Sequence, residues 1–191
     1  MTAQKEDRRI RRTKRLLRQA LAELMNEKEF KDITVKEITE RADLNRGTFY
    51  FHYTDTYDLR EKIEDELSDS FREVLSSYHP TPENYSTRQM LERAVGFIEE
   101  NKFLIRTLFN SSSGEGLQTK FMAVIEQIIV HAAAQLYPSE SRLLSKYRCR
   151  FLSYGAIGCM HMWLQEEGHL TSRALVDSLD EMFNDVIHVS I

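Results

Sequence analysis

Hydrophobic residues recur along this chain with the three-to-four-residue spacing of amphipathic α-helices almost throughout its length. Leu17, Leu21 and Leu24 form one such stripe, which predicts a helix over about 14–28 with Thr13 as its N-cap. Later stripes predict helices over about 56–78, 87–101, 103–109, 117–137, 140–167 and 172–189, with a proline-containing loop at 79–86. No alternating strand pattern of useful length and no internal repeat occur. We therefore predict an all-α fold of about nine helices.

Two short helices are predicted between the first two long ones, in a segment that reads TVKEITERADLNRGTFYFHYTDTYDL over 34–59. Thr34, followed three residues later by Glu37, predicts a capping box that opens a helix ending near Ala42. Asn45 is a favourable N-cap for a second helix of seven or eight residues. Two short helices joined by a tight turn are typical of a helix-turn-helix, whose second helix enters the DNA major groove.

The side chains of this segment divide into an inward and an outward set. Six apolar side chains are predicted to hold the two helices to the core: Val35, Ile38, Ala42, Leu44, Phe49 and Tyr53. The outward arc of the second helix is left with Arg46, Gly47, Thr48, Tyr50 and Phe51. An aromatic side chain such as Phe51 on a solvent-facing helix surface indicates a partner that covers it. Thymine methyl groups or sugar faces would provide that cover.

The net charge of the chain is distributed unevenly between its N-terminal and C-terminal parts. The net charge of −4 and the pI near 5.9, taken whole, argue against a nucleic-acid partner. Residues 1–18, however, hold eight basic and two acidic side chains, and residues 1–62 carry a net charge of +3 against −7 for 63–191. This asymmetry favours an N-terminal module that meets a polyanion, and the alternative is a solvated basic arm.

Length and composition narrow the class of protein. The 191 residues suffice for one domain or two small ones, and 7 Gly and 3 Pro are too few for a disordered or fibrous chain. Cys149 and Cys159 form no disulfide or metal-binding pattern and suit a reducing cytosol, so we expect a cytoplasmic protein. We expect no signal peptide, since no apolar stretch follows the first charges, and no membrane span.

No catalytic, cofactor or metal site is predicted. Four histidines of the C-terminal half are scattered without ligand spacing: His131, His161, His169 and His188. A G-x-S-x-G elbow, a Gly-rich phosphate loop, an H-E-x-x-H motif and paired catalytic carboxylates are all missing from the sequence. We therefore expect a protein that is not an enzyme.

A basic amphipathic first helix is followed by T-V-x-x-I-x-x-x-A, then by R-G-T-F-Y-x-H-Y and D-L. This run resembles the DNA-binding region of the TetR/AcrR family of bacterial one-component regulators over about residues 10–60. The resemblance implies phosphate and base contacts from Thr34, Lys36, Asn45, Arg46, Gly47, Thr48, Tyr50, Phe51 and His52. The alternatives are surface charges at Lys36 and Arg46, packing at Tyr50, and packing or capping at His52.

The chain departs from the family pattern at two positions. Asp43 stands in the turn where glycine is usual, and Asp tolerates the left-handed conformation better than most residues. Thr56 stands where the family often has a lysine, so a lysine–phosphate contact is lost there. The basic arm before Thr13 is a candidate replacement that reaches phosphates or the minor groove. The resemblance divides the chain into a DNA-binding domain over 1–58 and an effector-binding and dimerisation domain over 59–191.

The second domain is expected to hold a small-molecule effector and to form a homodimer. The candidate ligand-binding residues are Phe97, Phe103, Phe109, Phe121, Ile125, Tyr147, Phe151 and Tyr154, and a solid core is the alternative for each. The candidate dimer-interface residues are Leu152, Ala156, Cys159, Trp163, Leu175, Leu179, Met182, Phe183 and Val186, and the alternative is packing inside one subunit. Gly155 and Gly158 inside a helix indicate close approach of another helix or of a ligand.

The expected function is that of a dimeric transcriptional regulator, a repressor that binds a palindromic operator in double-stranded DNA and responds to a small molecule. The alternative is a protein with the same fold but without an effector pocket, acting as a coactivator or protein-interaction subunit.

Overall fold

A computed structural model describes residues 2–77, 86–110, 115–136, 142–166 and 170–188. The regular structure in these ranges is helical, which confirms the predicted all-α class. The helices are α1 (Thr2–Glu27), α2 (Val35–Arg41), α3 (Arg46–His52), α4 (Thr56–Ser76), α5 (Thr87–Glu100), α6 (Lys102–Asn110), α7 (Glu115–Leu136), α8 (Arg142–Gln165) and α9 (Ser172–His188), with a single 3-10 turn at Phe30–Asp32. Most of the loop predicted at 79–86 lies outside the described residues.

The first helix begins well before the predicted start. α1 runs from Thr2 without a break, so Thr13 is an interior residue with its side chain buried and not an N-cap. The segment before Thr13 is rich in Arg, Lys, Gln and Glu, all of which have high helix propensity, and it holds neither Gly nor Pro. The backbone of the basic arm is therefore helical from Thr2 onward.

Side-chain caps lie at the starts of α2, α3 and α4, where the sequence predicts them. At Thr34 both halves of the capping box form, with the Glu37 amide donating to the Thr34 hydroxyl and the Thr34 amide donating to the Glu37 carboxylate. The Asn45 side chain caps α3, and the Asp55 carboxylate accepts from the amide of Asp58 at the start of α4. These bonds satisfy backbone amides that would otherwise lack partners at each helix start.

The described chain forms two compact units. The N-terminal unit comprises Met1–Glu66 and Phe103–Glu115, and the C-terminal unit comprises Leu67–Lys102 and Gly116–Ile191. The division differs from the predicted boundary at 58/59 because the first half of α4 buries Leu59 and Ile63 in the N-terminal unit. The short helix α6 also belongs there, where Asn26 donates a hydrogen bond of 2.9 Å to the Thr107 hydroxyl.

Candidate nucleic-acid interface

The turn between α2 and α3 fixes the angle at which α3 is presented. Asp43 is the one described non-glycine residue with a positive φ, at 52°. This value lies in the left-handed region, which Asp tolerates better than most residues. The Leu44 amide then donates to the Thr39 carbonyl at 2.9 Å and closes the turn. Ile38 of α2 and Phe49 of α3 are both fully buried. The helix-turn-helix is thus anchored from its inner face, which leaves its outer face for a partner.

Substitutions at Asp43 test this turn. We expect Asp43→Gly and Asp43→Asn to leave the free energy of unfolding within about 0.5 kcal/mol of wild type, because both residues adopt a positive φ readily. Asp43→Val should lower it by about 1–2 kcal/mol, since a β-branched side chain is strained in this conformation. Urea unfolding checks the order of the three variants. Equal stability of Asp43→Val and Asp43→Gly would contradict the left-handed turn.

Ion pairs attach α2 to α1 and the adjoining turn. Lys28 Nζ lies 2.6 Å from the Glu37 carboxylate, and the Arg41 guanidinium makes a two-pronged contact with Glu27 at 2.8 and 2.9 Å. The paired planar geometry suits Arg and carboxylate groups. Lys28 first, and then the hydroxyl and amide of Thr34, lower the pKa of Glu37 from its ordinary 4.5 to about 2.

The pKa of Glu37 gives a pH prediction with a definite sign. Because the folded-state pKa lies below the unfolded value, the stabilisation from ionised Glu37 is complete above about pH 4.5 and is lost as the pH falls toward 2. An NMR titration of the Glu37 side chain should show its midpoint near pH 2. Glu37→Gln should make the melting temperature less dependent on pH between 4.5 and 2. A midpoint near 4.5 in the folded protein would refute the capping and ion-pair geometry.

The outer face of α3 carries large exposed side chains. Phe51 is 77% exposed and Tyr50 is 58% exposed, and Arg46 beside them is exposed as well. Gly47 is also exposed, whereas Thr48 and His52 are half-buried. This placement puts four of the predicted contact residues on the solvent side of one helix, where a groove of DNA would meet them together.

The remaining predicted contact residues lie at the helix starts or are engaged within the unit. The Asn45 side-chain oxygen accepts from both the amide and the hydroxyl of Thr48, at 2.7 and 3.0 Å. Thr34 is exposed, but its hydroxyl is engaged by Glu37, and Lys36 Nζ lies 3.8 Å from Glu40. Asn45, Thr48 and Thr34 therefore position α2 and α3, and Lys36 stands on the exposed side of α2.

His52 and Thr56 are less exposed than Tyr50 and Phe51. Burial, and then the positive charges of Lys14 and Lys62, lower the pKa of His52, whose ring meets Phe51 edge-on with ring centres 4.9 Å apart. Thr56 is buried at the start of α4. Its hydroxyl is therefore not displayed for a phosphate, whereas the neighbouring Asp55 and Tyr57 are exposed.

The predicted ligand-binding residues differ in unit and in exposure. Phe97 and Phe121 pack with Phe71 in an aromatic cluster of the C-terminal unit, with the Phe71 and Phe121 ring centres 4.4 Å apart, and Ile125 is buried in the same unit. Phe109 is buried in the N-terminal unit. The four other candidates are more than half exposed: Phe103, Tyr147, Phe151 and Tyr154. The predicted ligand site therefore stays a prediction, because apolar periodicity does not show which face of a helix is covered.

Six predicted interface residues are buried within their own chain: Leu152, Ala156, Trp163, Leu175, Leu179 and Phe183. The Trp163 indole donates to the Leu170 carbonyl at 2.9 Å, and Lys102 Nζ lies 5.0 Å from the Trp163 ring centre. Packing inside one subunit accounts for these six. Cys159 and Val186 are half-buried, and Met182 is 52% exposed.

A different stripe of α8 faces outward. Tyr147, Phe151, Tyr154 and Met162 are each more than half exposed. A Cβ added at Gly155 or Gly158 would meet no atom within 4 Å. These six residues, which we call the α8 stripe, fall within one side of the helix by their spacing. The sequence singled out the two glycines but not the direction that they face.

Other kinds of site receive no support from the described residues. Across them, no group of three His, Cys, Asp or Glu side chains is placed to hold a metal ion. No described helix is long and apolar enough to cross a membrane.

An anchored helix-turn-helix on an all-helical body defines a DNA-binding protein of the regulator type. Residues 17–63 match the family model described as "Bacterial regulatory proteins, tetR family", and residues 85–185 match a TetR-series model described as "Transcriptional regulator C-terminal region". The chain belongs to the TetR family of bacterial transcriptional regulators, which are not enzymes.

Similar proteins agree with this assignment. A curated relative, the uncharacterized HTH-type transcriptional regulator YxbF of Bacillus subtilis (strain 168), is 23% identical over 171 residues. That match covers 87% of this chain, and the chain spans 43% of the length of the relative. The structure of NalD, "the secondary repressor of MexAB-OprM multidrug efflux pump in Pseudomonas aeruginosa", superposes with a TM-score of 0.68 at 17% identity, over 93% of this chain and 96% of NalD. The "Dihydroxyacetone kinase operon activator DhaS" gives a TM-score of 0.55 at 15% identity, over 93% of each chain.

Proposed function

We propose that this chain is a sequence-specific, homodimeric repressor that acts in the cytoplasm on a palindromic operator near its target genes. The single observation that carries the proposal is the outer face of α3, where Phe51, Tyr50 and Arg46 are exposed together. Arg46 offers a bidentate donor to guanine or phosphate, and Phe51 offers an apolar face for a thymine methyl group or a sugar. α3 of each subunit then enters a major groove, with half-sites about 34–36 Å apart.

The α8 stripe supports the homodimer. Exposed aromatic and Met side chains in one continuous apolar stripe are unusual on a monomer surface and are typical of protein interfaces. Gly155 and Gly158 leave open space beside their backbone, which allows a partner helix to approach closely. Arg150 stands at the edge of the stripe, 3.5 Å from Glu126 and 5.5 Å from the Tyr154 ring centre, as a polar rim. We propose that the same stripe of a second copy covers it.

Operator release by a small molecule is the second part of the proposal. A ligand that binds the C-terminal units and alters the separation of the two α3 helices would lower DNA affinity by a coupling free energy. The likeness to NalD, which is named as a repressor, agrees with repression.

A small cavity among the described residues of the C-terminal unit agrees with a second candidate, a coactivator or protein-interaction subunit without an effector pocket. The apolar cavity beside Ile125 and Met160 has a volume of about 10 Å³, enough for roughly one water molecule. The likeness to DhaS, which is named as an operon activator, agrees with this candidate. A thermal-shift screen separates the two. A small molecule that raises the melting temperature and weakens operator binding supports the ligand-released repressor, and binding of a protein partner with no such molecule supports the coactivator.

The DNA-binding proposal is tested on the promoter region of the chain's own gene. The purified protein should bind it with an affinity that falls as salt rises. A double variant, Arg46→Ala with Tyr50→Phe, should lose at least tenfold in affinity because it removes a guanidinium and a hydroxyl from the α3 face. Absence of salt-sensitive binding, or unchanged binding by the double variant, would overturn the proposal.

A further inference from the structure

A groove with a volume of about 390 Å³ lies between α1 and α3 in the N-terminal unit. We call it the α1–α3 groove, and its lining residues are Arg9, Ile10 and Thr13 from α1 with Asn45, Gly47, Thr48, Phe51 and His52 from α3 and its cap. The groove is open to solvent on one side and has room for a small chemical group. The groove exists because α1 continues as a helix before Thr13 and forms a second wall beside α3.

The two walls of the groove differ in chemistry. Arg9 is exposed on the α1 side, and Phe51 presents a 77% exposed ring on the α3 side. Gly47 contributes no side chain, and a Cβ there would come within 3.3 Å of the Asn45 side-chain oxygen. The groove is therefore open between a cation and an aromatic face. A complementary occupant carries an anion at one end and a compact, partly apolar ring at the other.

The wider charge around the groove also favours an anion. Arg8, Arg11, Arg12 and Arg15 are exposed along the same helix as Arg9. Lys14 and Arg18, further along α1, are paired with the Glu66 carboxylate of α4. The surface of α1 over residues 8–15 is therefore rich in positive charge.

We propose that the α1–α3 groove clamps one sugar–phosphate unit of the operator backbone, with Arg9 donating to the phosphate and Phe51 packing on the deoxyribose. The inference rests on the DNA-binding function proposed above and names the partner of that site more closely. A guanidinium matches phosphate geometry with two parallel hydrogen bonds, and backbone contacts of this kind fix the register of a protein on the duplex. The helical arm thereby supplies the phosphate contact for which Thr56 is not displayed.

The test uses the full-length protein and a palindromic duplex recovered by selection from random DNA. Affinity is measured against salt concentration for wild type, Arg9→Ala, Arg9→Lys and Arg15→Ala. Arg15 is the matched control, because it is an exposed arginine of the same helix that does not line the groove. We expect Arg9→Ala to lose about tenfold in affinity. The slope of its log affinity against log salt concentration should be smaller in magnitude by about 1. Arg9→Lys should keep most of the affinity and most of the slope. The affinity and the slope should change less for Arg15→Ala than for Arg9→Ala.

A second arm locates the phosphate. Each duplex of a set carries one neutral methylphosphonate, at a different backbone position. The affinity of every duplex is measured for wild type and for Arg9→Ala. At one position in each half-site, the methylphosphonate should lower the affinity of wild type but not that of Arg9→Ala, as in a double-mutant cycle. Equal losses for Arg9→Ala and Arg15→Ala, or no such position, would overturn the clamp while the DNA-binding function stood. If wild type recovers no duplex at all, both proposals are overturned.

Discussion

Replacing Phe51 with alanine should lower operator affinity by about 10- to 100-fold while the protein stays folded. The side chain is 77% exposed, so the folded chain gains little from it. Burial of a phenylalanine side chain against DNA contributes about 1.5–3 kcal/mol, which corresponds to this loss. Fluorescence anisotropy at one fixed salt concentration measures the affinity, and a circular dichroism melt shows that stability is kept.

The chain provides a matched control for this experiment. Phe103 lies in α6 of the same unit, is 57% exposed and does not belong to α3. Phe103→Ala removes the same atoms from the surface and should leave operator affinity unchanged. If Phe51→Ala binds as tightly as Phe103→Ala, then α3 does not present Phe51 to DNA, and the contact assigned to it is refuted.

Introducing a carboxylate into the α8 stripe should separate the dimer. Phe151 is 65% exposed and stands within the stripe beside Tyr154 and Gly155. In a symmetric interface Phe151→Glu places two charges in an apolar contact without partners, which costs several kcal/mol. We expect a monomer at micromolar concentration in sedimentation velocity. Affinity for the palindrome should fall at least 100-fold, because the half-sites are then bound independently.

The same substitution away from the stripe serves as its control. Phe103→Glu adds an equal charge at an exposed phenylalanine of the N-terminal unit, and its sedimentation should match that of wild type. A dimeric Phe151→Glu protein would show that another surface joins the subunits.

The parts of the fold that depend on neighbouring residues could be predicted from the sequence. Thr34 with Glu37, and Asn45 alone, define helix starts through bonds that span three residues, and these bonds form as expected. Asp43 could be placed in a left-handed turn because the resembled family usually has glycine at this position and Asp tolerates that conformation better than most residues. Phe49 could be assigned to the core because the pattern around it leaves one apolar face.

The parts that depend on long-range packing could not be predicted in the same way. α8 carries apolar residues around its circumference, so its pattern did not reveal that Leu152 faces the core while Phe151 faces outward. The continuation of α1 was also missed, because Thr13 resembles a cap when it is considered without the helix-forming residues before it. The run of arginines before Thr13 indicates a basic surface. The sequence does not show that this surface lines a groove beside α3, because that depends on α1 continuing as a helix before Thr13.

The most direct test of the central claim is selection from a pool of random double-stranded DNA by the purified full-length protein. A dimer that reads DNA with two copies of α3 should enrich one palindromic sequence whose half-sites are centred about 34–36 Å apart, near one helical turn. The affinity of that sequence should fall steeply between 50 and 200 mM salt, by roughly 10³-fold or more if several phosphates are contacted. A pool that remains random after repeated rounds, or that converges on a single unpaired half-site, would contradict the account.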